Sequence, residues 1–176
     1  MKNFFKLFLL LFIGGAAVAQ SFDFGQPVTE SIEKNWDLPI GPQGQNLPKG
    51  QGRGSEGKQV YATYCAMCHG QNLEGGVVFQ APALVGGRGS LTTRKPQKTV
   101  ESYWPYATTL FDYIRRAMPM TSPGVLNSNQ TYAVVAYILS ESHIIDDDVV
   151  MNQDSLPKIV MPNRDGFVDQ WLLFTK

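Results

Sequence analysis

The chain has 176 residues, 43% of them hydrophobic, enough apolar material for one packed domain with tails. Fifteen Lys and Arg stand against fifteen Asp and Glu, and so mild a net charge argues against a nucleic-acid partner. The chain holds only two Cys and two His, so a four-ligand Cys/His zinc centre would have to use all of them.

The N-terminus reads as a secretory signal. Lys2 and Lys6 precede an apolar run from Leu7 to Ile13, and Ala17-Val18-Ala19 is a small-residue cleavage pattern. The apolar stretch falls short of the ~20 residues a spanning helix needs, and no Cys follows the cleavage point to carry a lipid. Residues 1–19 are therefore expected to be removed, leaving 157 residues and a net charge of −2. Residues 20–54 are rich in Gly, Pro and Gln and lack helical periodicity, so an irregular arm is expected there. Trp36 and Leu38 are its candidate anchors.

The first helix is expected from Ser55, with Ser55 as N-cap and Glu56 favourable to the macrodipole. Gly57, Val60, Tyr61 and Tyr64 share one helical face. This helix runs into Cys65-Ala66-Met67-Cys68-His69 and breaks at Gly70. C-x-x-C-H is the attachment signature of c-type haem. Two thiols at this spacing can each form a thioether with a haem vinyl group, and the adjacent His is then held beneath the iron. A thioredoxin-like redox pair would need a βαβ pattern, which is absent. A zinc site of four Cys and His ligands would need the distant His143. A disulfide across two residues would staple almost nothing.

Residues 70–100 form a Gly-rich loop region. A second helix is expected over residues 107–117, with Leu110, Phe111, Ile114 and Ala117 as its apolar stripe and Pro119 as its stop. The last clear helix starts near Asn127, which pairs with Gln130 in a capping-box pattern, and ends near Ser142. Tyr132, Val135, Ala136 and Leu139 mark one stripe on it; Ala133, Ala136, Tyr137 and Ser140 mark another. The haem domain is thus expected over 55–143, with a tail over 144–176 that wraps the core or docks a partner. Charge is distributed unevenly. Six basic residues fall between Gly86 and Arg116, and seven acidic ones between Glu141 and Lys176. Steering of a redox partner is one use of such a dipole.

A proximal His leaves a second axial position on the iron. His143, Met118 and Met120 are the candidates to fill it; Met118-Pro119-Met120 follows His69 by about fifty residues, enough chain to reach the other face. A helix leading into C-x-x-C-H, a Met-Pro loop and a C-terminal helix together resemble class I cytochromes c, an all-α fold. The resemblance implies one covalent haem c, His69 and Met118 as axial ligands with Met120 as rival, and Pro82 carbonyl oxygen on the His69 ring. It further suggests Arg88, Trp104 and Tyr106 as haem-propionate donors. His/Met ligation raises the reduction potential and suits an electron carrier. Haem attachment in this class implies export to the periplasm.

Residues 86–91 and 98–119, with the tail segment 156–167, resemble more narrowly the cytochrome c subunit of periplasmic sulfite or sulfane dehydrogenases. That implies a molybdenum-cofactor oxidoreductase subunit as electron donor and a downstream cytochrome or oxidase as acceptor. Some members of that group carry a second haem domain, which this chain lacks. The alternatives are a freely diffusing carrier serving other donors and a haem enzyme or sensor with an open iron site.

Overall fold

Helix α1 (Gly54–Tyr64) begins where Glu56 reaches back to cap it: the Arg53 backbone N–H donates to Glu56 Oε2 at 3.0 Å. The start expected at Ser55 is thus displaced, because the carboxylate at N3 selects Arg53 as the cap and leaves Ser55 inside the first turn. The structure is a computed structural model that describes Thr29, residues 38–77 and 79–168, and Gln170. The export-signal reading and Trp36 fall outside the described residues.

Helix α2 (Ala66–His69) is a single turn set off from α1 by Cys65, whose φ/ψ of −121°/−37° breaks the helical run. Gly70, at φ +84°, ends the turn. Helix α3 spans Ala107–Ala117, and Met118 turns the chain into extended backbone ahead of Pro119. Helix α4 spans Ser128–Glu141. Its capping box is closed in both directions: Gln130 N–H donates to Asn127 Oδ1 (2.9 Å), and Asn127 N–H donates to Gln130 Oε1 (3.0 Å).

α4 is the centre of the core. Every residue from Thr131 to Ser140 is buried, so the two stripes expected for it extend to its whole circumference. The reason is tertiary. α1 crosses it so closely that a Cβ on Gly57 would lie 1.9 Å from the Ala133 carbonyl oxygen. α3 lays Phe111 against Tyr132, with ring centroids 4.4 Å apart. The remaining sides are covered by the flanks of the helical region. Tyr132 donates its hydroxyl to Pro48 O at 2.9 Å. A two-residue strand β1 (Gln51–Gly52) pairs antiparallel with β2 (Met151–Asn152), Gly52 opposite Met151. Met151, Leu156 and Met161 from the tail are fully buried. The all-α class holds: helices carry the core, and this short pairing is the only sheet among the described residues.

Candidate haem site

Cys65 caps the Ala66–His69 turn that carries Cys68, so the two thiols stand three residues apart at one turn. Cys68 N–H and His69 N–H both donate to the Cys65 carbonyl, at 3.0 and 2.9 Å, which fixes the turn. Both thiols are half-buried and unbridged. Burial, and then the neighbouring Cys68, push the Cys65 thiol up to about 11. A catalytic thiol needs a depressed value, and the shift at Cys65 runs the other way. The zinc alternative fares no better: no group of three His, Cys, Asp or Glu that could hold a metal ion occurs among the described residues.

The loop after the motif folds back under His69. Gly75 N–H donates to His69 O (2.7 Å), Gly76 N–H to Ala81 O (3.0 Å) and Leu84 N–H to Leu73 O (2.8 Å). Gly76 is required here, since a Cβ would sit 1.9 Å from Cys68 O. The loop delivers Pro82, whose carbonyl oxygen lies 2.9 Å from His69 Nδ1. A carbonyl can only accept, so Nδ1 is the donor in this bond and Nε2 is the nitrogen left to face a metal.

Tyr61, on α1 and 1% exposed, donates its hydroxyl to Gly70 O at 2.7 Å. Burial, then the charges of Cys65, Glu74 and Tyr137, push its hydroxyl well above the usual tyrosine range, so it stays a neutral donor. Its ring packs on Tyr137 of α4 at 5.4 Å. The sequence placed Tyr61 on the helix face but gave no sign of this bond, which joins residues nine apart across the motif.

Met118 caps α3, donating its N–H to Ile114 O at 3.0 Å, and its side chain packs against the core. Met120 is 76% exposed. His143 is exposed just past α4, with its N–H on Ser140 O at 2.8 Å. Arg88 is occupied by Glu101 (Nε to Oε1, 3.0 Å) and by Ser142 O (2.9 Å from Nη2). Trp104 donates its one N–H to Thr109 Oγ1 at 2.9 Å. Tyr106 lies under the Arg164 guanidinium, 4.3 Å from its ring centroid. The single N–H of Trp104 is taken by its bond to Thr109, while Arg88 has guanidinium N–H groups beyond the two that engage Glu101 and Ser142. Two open surface hollows, one lined by Gly124, Leu126, Asn127 and Ser128 and one by Gln51, Glu56, Asn129 and Val150, contain none of the motif residues.

Residues 54–142 match the family model for cytochrome c. The chain belongs to the cytochrome c family. Among solved structures, this cytochrome is similar to a chain in the crystal structure of the sulfane dehydrogenase SoxCD from Paracoccus pantotrophus. The two are 36% identical with a TM-score of 0.77, over 89% of this cytochrome and 79% of that chain. No curated protein matches the sequence. The class I fold and the link to a sulfur-oxidising dehydrogenase both stand on these likenesses. Family membership implies haem c, and the residues fit it: an unbridged pair of half-buried cysteines three residues apart, and a His whose Nδ1 is engaged by the Pro82 carbonyl so that Nε2 is the nitrogen left to face a metal.

Proposed function

We propose that this cytochrome is a periplasmic monohaem electron-transfer subunit. It takes electrons from a molybdenum sulfite or sulfane dehydrogenase and passes them to a downstream cytochrome or oxidase. The observation that carries the electron-transfer reading is the His69–Pro82 bond beside two free, half-buried cysteines. When bound, haem c supplies a one-electron iron couple. Cys65 and Cys68 would hold it, His69 would ligate it through Nε2, and the Pro82 carbonyl orients the ring for that role. Met118 would be the second ligand; its packing against the core favours it over the exposed Met120. The chain does no bond chemistry. A one-electron couple would take a two-electron donor's electrons singly.

The partner is supported by the likeness to a SoxCD chain over 89% of this sequence. Export through residues 1–19 is supported by the charged, apolar and small-residue pattern there. The deciding experiment is capture of the tagged, haem-loaded protein from periplasm, followed by sulfite or a sulfane donor. Haem reduction that requires a co-purifying molybdenum protein is the expected result. Failure to associate with one, alongside normal reduction by other donors, would point to a free carrier. A high-spin ferric spectrum that shifts at once on adding cyanide would sink the carrier reading.

A further inference from the structure

Between Glu74 and Glu101 the chain has no acidic residue but four basic ones, Arg88, Arg94, Lys95 and Lys98. The fold gathers them on one excursion, residues 85–99. Its base is pinched shut by Val100 N–H on Leu84 O (3.0 Å) and by Thr99 Oγ1 on Gly86 O (2.7 Å). Gly86 N–H and the Arg88 guanidinium both engage Glu101, and Arg88 also holds the Ser142 carbonyl at the end of α4. The interior is tied by Gln97 N–H on Ser90 Oγ (2.9 Å), Thr93 Oγ1 on Ser90 O (2.7 Å) and Lys95 N–H on Thr93 Oγ1 (3.2 Å). This is a compact Ω-loop with its ends together.

The charges divide into two sets. Arg88 at the base is neutralised by Glu101. At the tip, residues 92–98 are exposed, and no ion pair among the described residues engages Arg94, Lys95 or Lys98. Lys98 rests over the Tyr103 ring, its ammonium 5.1 Å from the centroid. A loop this heavily bonded loses little entropy on binding, and it holds cations toward solvent on a protein whose net charge is not basic. We propose that this loop is a docking platform for an acidic face of a partner protein, with Arg94, Lys95 and Lys98 as its contact charges. The proposal rests on the reading of the chain as an electron-transfer protein that must meet its partners. Complementary charge speeds such encounters and sets their salt dependence.

The test uses the haem-loaded full chain over immobilised poly-L-glutamate, with ionic strength raised from about 0.01 to 0.15 M so that the screening length shrinks from ~30 to ~8 Å. R94Q/K95Q/K98Q is expected to bind about tenfold more weakly and to lose most of the salt dependence. K49Q/K58Q/K158Q makes the same charge change on exposed residues elsewhere and should stay within about twofold of the unaltered protein. Equal weakening by both variants would overturn the proposal. So would loop-dependent binding of duplex DNA tighter than of poly-L-glutamate, or a loop-dependent dimer in sedimentation, each of which names a different occupant. Poly-L-glutamate carries no redox centre. A loop that binds it while sulfite fails to reduce the haem leaves the platform standing and removes the dehydrogenase.

Discussion

Met118 and Met120 are separated by one proline, yet the fold treats them as opposites. Met118 ends α3 and packs inward; Met120 is 76% exposed. Met118→Ala in the haem-loaded protein should therefore lower the midpoint potential by on the order of 100 mV, within the roughly 0.8 V that axial ligands span. Met120→Ala should leave it unchanged, and the reverse outcome in a redox titration would make Met120 the ligand. At Tyr61 the expectation concerns stability. Tyr61→Phe removes the donor to Gly70 O and should cost about 1 kcal/mol in guanidinium unfolding. The haem-attachment motif was legible because C-x-x-C-H compresses its chemistry into five positions. The bond from Tyr61 to Gly70 was not, since it depends on how α2 turns back on α1.

The α1–α4 crossing depends on residues with little or no side chain. A Cβ on Gly57 would meet backbone atoms of Ala133 at 1.9 and 2.4 Å, and backbone cannot step aside as a flexible side chain can. Gly57→Ala should destabilise by about 3 kcal/mol, read from denaturant midpoints. α4 also sets the alkaline limit. Burial and then Asp154 raise the Tyr132 hydroxyl from 10.0 to about 12, against a smaller lowering by Arg115. The unfolded chain releases this proton at lower pH than the native one. The stabilisation is therefore complete below pH 10 and is lost as pH rises toward about 12. Tyr61 and Tyr137 shift in the same direction and add to the loss. Tyr132→Phe should flatten the stability profile across that window, measured by chemical unfolding at stepped pH. The elements themselves were readable: α3 and the capping box of α4 lie where Pro119 and the Asn127–Gln130 pair put them. The start of α1 was misjudged because Ser55 is the better cap by type, while Glu56 is placed to cap Arg53.

At the scale of the molecule, the flanks are part of the core rather than appendages to it. Leu156 and Met161 are as deeply buried as any residue of α4, and β1 and β2 join the two flanks beside that helix. Leu156→Ala or Met161→Ala should each cost about 2–5 kcal/mol, since neighbours only partly fill the space left behind. Val160→Ala, at a residue 78% exposed, should stay within about 0.5 kcal/mol in the same unfolding assay. The tail also reaches the loop ahead of α3: Asn163 donates to Tyr103 O at 2.8 Å, and Phe167 meets the Tyr103 ring edge-on at 5.2 Å.

The sequence alone determined the cofactor, because attachment chemistry demands two thiols and an imidazole at one fixed local spacing. It also determined the helices, because apolar periodicity and caps act within a few residues of chain. Only the tertiary structure decided what surrounds them. It set Pro82 under His69, committed Arg88 to Glu101 and Trp104 to Thr109, and separated Met118 from Met120 by burial. It also turned the tail into core. Each of those outcomes depends on contacts between residues brought together by folding, and a local pattern carries no record of them.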